Sequence, residues 1–229
     1  MNNPYLAAFL MSGALSCAAQ TAPTTDPTLD STGLPVYLKL LPQPAAEPWR
    51  KITEKDRFNF YASMTFSPLA GLSAAVGGAI SQGIDSPHEW GQGWGPYGTR
   101  VASSYGSTIV GNTITYAASA LFRDDNRYFR SHKNGFKARL GAAALSPYVA
   151  HNSAGRQRFS ASSFLGGVGQ STIQLEWSPR SWQGWGNVGV NYLIWYGQTA
   201  GINLVREFYA NIVRYYKNKS HNKAPAGKK

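Results

Sequence analysis

The sequence predicts a mainly α-helical fold, a compact bundle whose helices pack through Gly, Ala and Ser. Three observations carry that expectation. Charged residues fall in clusters and leave five charge-free intervals, 58–84, 101–122, 140–155, 159–175 and 181–205, each long enough for a helix. Small residues recur at every fourth position, as Ser67, Gly71, Ala75, Ala79, Gly83 and as Ser103, Ser107, Gly111, Thr115, Ser119, which puts each row on one helical face. A helical Gly costs about 1 kcal/mol relative to Ala, a cost that makes sense where two backbones approach closely. Finally, the first interval opens on a helix start: Thr53 is a good N-cap, and Glu54 and Asp56 complement the dipole in the first turn.

Taken in order, the chain begins with an export signal over residues 1–19. The uncharged run from Leu6 to Ala19 has the length of a signal-peptide core and is too short to span a bilayer, and Ser16, Ala18 and Ala19 supply the small residues of a cleavage site. Cys17, the single cysteine, lies inside this segment, so cleavage at Ala19 leaves neither a disulfide nor a thiolate metal site. Residues 20–48 are rich in Pro and Thr and read as a flexible linker, with one short extended piece at 36–41. The helical domain follows over 49–216, with Pro68 bending or restarting its first helix. Residues 217–229 read as a disordered basic tail.

The alternative to the bundle is a small outer-membrane β-barrel. Thr172–Trp177 alternates strictly, as do Val188, Val190, Tyr192, Ile194 and Tyr196, and an exported chain rich in Gly, Asn, Thr, Tyr and Trp suits a barrel. Elsewhere the alternation fades. Inner-membrane helices are disfavoured by composition, because Ser, Thr, Asn, Gln and Gly fill much of every interval.

Two connectors stand out. The first, Ser86 to Gly98 with Arg100 behind it, carries Trp90, Trp94 and Tyr97 among Gly and Pro, and reads as an aromatic binding loop or a plug closing one end of the bundle. Its His88 and Glu89 are the only adjacent pair suited to proton transfer or metal chemistry, and no second His stands at ligand spacing. The second connector holds Arg123, Asp124, Asp125, Arg127 and Arg130. Three arginines around two carboxylates point to structural ion pairs at an interhelical corner rather than a cation cage. No phosphate loop, nucleophile elbow, metal motif or cofactor signature occurs.

The two connectors, together with Arg57-Phe58, Ser67-Pro68, Gly111-Asn112 and Arg206-Glu207-Phe208, resemble a family of uncharacterised exported proteins common in acidobacterial genomes. The resemblance spans roughly Trp49 to Val213. Asn126 stands where relatives are expected to have Pro, and Tyr209-Ala210-Asn211 where a Trp-Pro-Asp run is expected, so the chain resembles a divergent member. It implies an envelope location and a helical domain, and it brings no activity.

The net charge of +11 would suit nucleic acid, but export makes a membrane or an anionic envelope polymer the expected partner. The small-residue faces also suit a homo-oligomer. The function expected is that of a non-enzymatic cell-envelope protein associated with the outer membrane or wall. The alternatives are an envelope hydrolase or metal-dependent enzyme built on His88 and Glu89, and a small barrel or pore.

Overall fold

A computed structural model describes residues 34–39 and 41–223. The expected export segment, residues 20–33 of the expected linker, Leu40 and residues 224–229 lie outside the described residues. Among the described residues seven helices follow one another: α1 (Val36–Lys39), α2 (Glu54–Phe66), α3 (Pro68–Gly83), α4 (Trp94–Phe122), α5 (Phe136–Leu145), α6 (Ala161–Ile173) and α7 (Trp185–Lys223). A hairpin of β1 (Val149–His151) and β2 (Gln157–Phe159) stands between α5 and α6.

Local chemistry sets the helix ends. The Thr53 hydroxyl accepts from the Asp56 N–H at 3.1 Å while the Asp56 carboxylate accepts from the Thr53 N–H at 3.4 Å, a complete capping box. Ser67 is extended, as a residue before Pro must be, so α2 stops there. The same Ser67 caps α3, whose first residue is Pro68. Pro68 therefore restarts the helix. At the far end of α4, Arg123 adopts the left-handed conformation that ends many helices. Ser160 caps α6 by accepting from the Ser163 N–H at 3.1 Å.

The barrel alternative is overturned. Thr172 and Ile173 close α6, Gln174–Trp177 is a 3₁₀ turn, and 188–196 lies inside α7. Alternation over five or six residues is too short to separate a strand from a helix with two apolar sides. What decides is the absence of any Pro between Pro179 and Pro225, which lets one helix of 39 residues, about 58 Å, run unbroken. For the same reason Lys217–Lys223, expected as tail, is helical. The linker also differs from expectation: residues 36–39 form a helical turn, and Leu34 and Leu38 bury against Tyr209, Ala210 and Val213 of α7. They sit one turn apart on the face that meets α7.

The bundle is an arc. α3 packs on α4, α4 makes its densest contact with α6, and α6 packs on α7, while α2 leans on α4 and α5 on α7. The α4–α6 seam is made by small residues. A Cβ added to Gly166 would overlap Thr115 Oγ1 and stand 3.0 Å from the Gly111 carbonyl, and one at Gly111 would overlap Gln170. The row Ser103–Ser119 thus holds a helix contact. The row on α3 does not: Gly71 and Gly83 have open space around them, as do Gly189 and Gly201 on α7.

Burial runs opposite to that of an ordinary soluble domain. Buried positions include Thr65, Ser107, Ser119, Ser162, Ser171, Asn203 and Arg206, whereas Phe58, Phe66, Leu72, Leu121, Phe164, Leu165, Val190 and Leu193 are exposed.

Candidate functional site

The polar interior has a shape. α3 and α7 form the two outer walls of the arc and do not pack along their length, and a cavity of about 720 Å³ lies within it, lined from α2, α3, α4, α6 and α7. About half of its lining residues are Ser, Thr, Asn or Gln. On α7 the lining positions are 190, 191, 194, 195, 198, 199, 202, 203 and 206, one continuous helical stripe about 24 Å long. On α4 they are Arg100, Ser103, Ser104, Ser107, Thr108, Asn112 and Thr115, the face that includes part of the small-residue row.

Each end of the cavity is bridged. At one, the connector between α3 and α4 meets the turn before α7, where the Ser181 hydroxyl donates to the Glu89 carboxylate. At the other, Arg206 of α7 donates to Asn203 Oδ1 at 2.8 Å and approaches Met64 Sδ of α2 at 3.9 Å. Asn203 in turn donates to Ser146 at 2.7 Å.

The first connector therefore forms one mouth, and Arg100 builds it. This side chain is 2% exposed and donates to the carbonyls of Ser86 (3.0 Å), Pro87 (2.8 Å) and Gly91 (2.8 Å) and to Gln82 Oε1 (2.5 Å). It also lies 5.9 Å from the Trp90 ring centre. Arg100 is thus a clamp on the loop. Tyr97 donates to the Ala75 carbonyl at 3.2 Å and pins α4 to α3, while Trp94 is 88% exposed.

His88 and Glu89 line the same mouth but do not pair with each other. His88 Nδ1 bonds Asp85, whose hydrogen bond and charge raise the imidazole above its ordinary pKa, and the same contact holds Asp85 below the usual carboxylate range. The Ser181 hydroxyl lowers Glu89 in the same sense. Both side chains are exposed and engaged with other partners, so the His88–Glu89 pair expected from the sequence is not assembled. Among the described residues no three His, Cys, Asp or Glu side chains gather as a metal site.

No protein-family model, no curated protein and no solved structure matches the chain. The site has to be understood from its own geometry.

The second connector lies at the opposite end, where the carboxylates are divided between partners. Asp124 accepts from Arg158 Nε at 2.9 Å and from Ser162 N–H and Oγ at 3.2 and 2.8 Å. Asp125 accepts from Arg127 at 2.7 and 2.9 Å and from Trp49 Nε1 at 3.2 Å. Arg57 donates to the Asp124 carbonyl at 2.5 Å, Arg123 is exposed, and Arg130 is half-buried. Nearby, Glu207 accepts from Tyr128 Oη (2.7 Å), the Ser131 N–H (3.0 Å) and hydroxyl (2.9 Å), and Arg139 Nε (2.7 Å). Burial works to raise Glu207, but these donors outweigh it and hold the carboxyl below its ordinary value. Burial, with Glu207 as acceptor, pushes the Tyr128 phenol far above its usual range.

Sequence reasoning singled out the connector that forms one mouth of the cavity but missed its walls. Gln170, Gln174, Asn191 and Gln198 line it with side-chain amides that bond nothing else in the described chain. The signal was present as polar residues seven apart on one helix face, Asn191 and Gln198, but it reads as composition until the facing helices are known.

Proposed function

We propose that this is a non-enzymatic envelope protein whose helical domain lies within a lipid bilayer. The supporting observation is the spacing of charge along four antiparallel passes. Each runs between an end with Arg57, Arg123, Arg158 and Arg206 and an end with Asp85, Arg100, Glu176 and Arg180, with no charged residue between. Along α4 the interval from Arg100 to Arg123 is 23 residues, about 35 Å, against a hydrocarbon core of about 30 Å.

Exposed Phe66, Leu72, Phe164, Leu165 and Leu193 fall within that band. Five of the seven tryptophans, Trp90, Trp94, Trp177, Trp182 and Trp185, gather at one end, with Trp94 and Trp185 88% and 83% exposed, as in an interfacial aromatic belt. The other end carries Lys133, Lys137, Arg139, Arg156 and Arg214, a charge suited to anionic headgroups.

Hydropathy alone selects only Glu54–Gly83 among the described residues as apolar and long enough to cross a membrane. The other passes carry many of their polar residues on the cavity face, apart from the exposed Phe and Leu side chains of the outer surface. The export signal and the resemblance to exported envelope proteins supply the location.

Membrane fractions washed with alkaline carbonate test this directly. Retention in the pellet, together with quenching of tryptophan emission by brominated lipid in reconstituted vesicles, is the expected result. Release of fully helical protein into the carbonate supernatant would sink the bilayer reading and leave peripheral attachment.

A further inference from the structure

We infer that the cavity is a binding site for an uncharged, hydroxyl-rich ligand, a short neutral glycan chain. The walls supply hydrogen-bond capacity without charge. Gln170 and Gln174 on α6 face the cavity with Asn191 and Gln198 on α7, and each amide offers two donors and an acceptor that no other described residue takes up. Asn191 and Gln198 are two helical turns apart, about 10 Å, so the open groups are spread along an elongated space.

Charge is confined to the ends and already engaged there. Arg100 is held by loop carbonyls, Glu89 by Ser181, and Arg206 donates to Asn203. An ionic ligand would have no counter-charge along the walls, while a wholly apolar one would leave the amides unpaired; Phe60, Ile194, Trp195 and Ile202 between those amides offer apolar surface for the C–H faces of sugar rings. Trp182, half-buried at the mouth, adds a flat apolar surface of the kind a sugar ring stacks on. A polyhydroxylated chain answers both features at once.

The inference does not depend on the bilayer reading, because the cavity is a property of the folded chain. Its test uses the full-length protein in a zwitterionic detergent free of sugar, titrated with maltopentaose, cellopentaose and chitopentaose and, as the charged comparison, an oligogalacturonate of the same length. Tryptophan fluorescence and calorimetry report binding. At least one neutral oligosaccharide is expected to bind, more tightly than the oligogalacturonate. Gln198→Leu and Gln170→Leu should each weaken it by about tenfold or more, the size of one or two lost hydrogen bonds. Gln157→Leu, on the exposed strand β2 away from the cavity, should leave it unchanged. Circular dichroism of each variant checks the fold. Failure of every neutral probe at millimolar concentration, tighter binding of the oligogalacturonate, or undiminished binding by correctly folded Gln170 and Gln198 variants would each overturn the assignment.

Discussion

Arg100 and Glu207 are buried ions at opposite ends of the bundle, and they fail differently. Arg100 satisfies three carbonyls of a loop whose own regular structure is a single 3₁₀ turn, His88–Trp90. Arg100→Met should therefore lower stability by roughly 2–4 kcal/mol, since buried acceptors are left without donors, and thermal melts in detergent will show it. Glu207 is the acceptor for four donors from Tyr128, Ser131 and Arg139. Its folded pKa lies below the unfolded value of about 4.3, so the unfolded chain binds more protons as pH falls. The stability this group contributes is complete above that unfolded value and is lost as pH drops through the folded one. Glu207→Gln should flatten that acid limb and cost about 3 kcal/mol at neutral pH, because Arg139 keeps its charge and loses its partner. Denaturant melts of both proteins between pH 3 and pH 7 check the sign.

At the scale of the helix, glycines that look alike in the sequence do different things. Gly166 lies in the α4–α6 seam, where a Cβ overlaps Thr115, while Gly71 faces open space on α3. Gly166→Leu should destabilise by about 3 kcal/mol or prevent folding, as overpacking at a close backbone contact does. Gly71→Ala should stabilise by about 0.5–1 kcal/mol through its backbone entropy alone. Parallel melts of the two variants test the assignment of the seam. This pair also shows how far the sequence could be read. The charge-free intervals and the Thr53 and Pro68 signals were local, and they placed the first helices correctly, whereas the Ser67 cap was not read from the sequence. Which four-residue row meets another helix is a tertiary fact, and the two rows are equivalent until α6 is docked. The same holds for Leu34 and Leu38, whose Pro-rich surroundings look like linker until the α7 face they cover is in place. At the site, His88 and Glu89 were legible as unusual residues, but their partners Asp85 and Ser181 were not, because Ser181 is 92 residues from Glu89.

For the whole molecule, the distribution of polarity matters more than its amount. Leu193, 64% exposed, and Gln198, on the cavity side, are little more than one turn apart on α7. If the helical domain lies in the bilayer as proposed, a charge at the first meets lipid, while at the second it meets the cavity. Leu193→Lys should therefore abolish stable incorporation into vesicles, and Gln198→Lys should retain it, as flotation on a density gradient will show. The inward-facing polar stripes have one more consequence, which concerns how the protein would reach its membrane. An export channel diverts a passing segment sideways according to its summed apolarity, before any partner helix is there to hide its polar side. Among the described residues only Glu54–Gly83 is apolar enough on that criterion, and Pro68 interrupts it. The remaining passes would be threaded through rather than retained, and the chain would assemble its lipid-facing exterior only after crossing, by folding. Its insertion would then be a step of folding that takes place beyond the first membrane it meets.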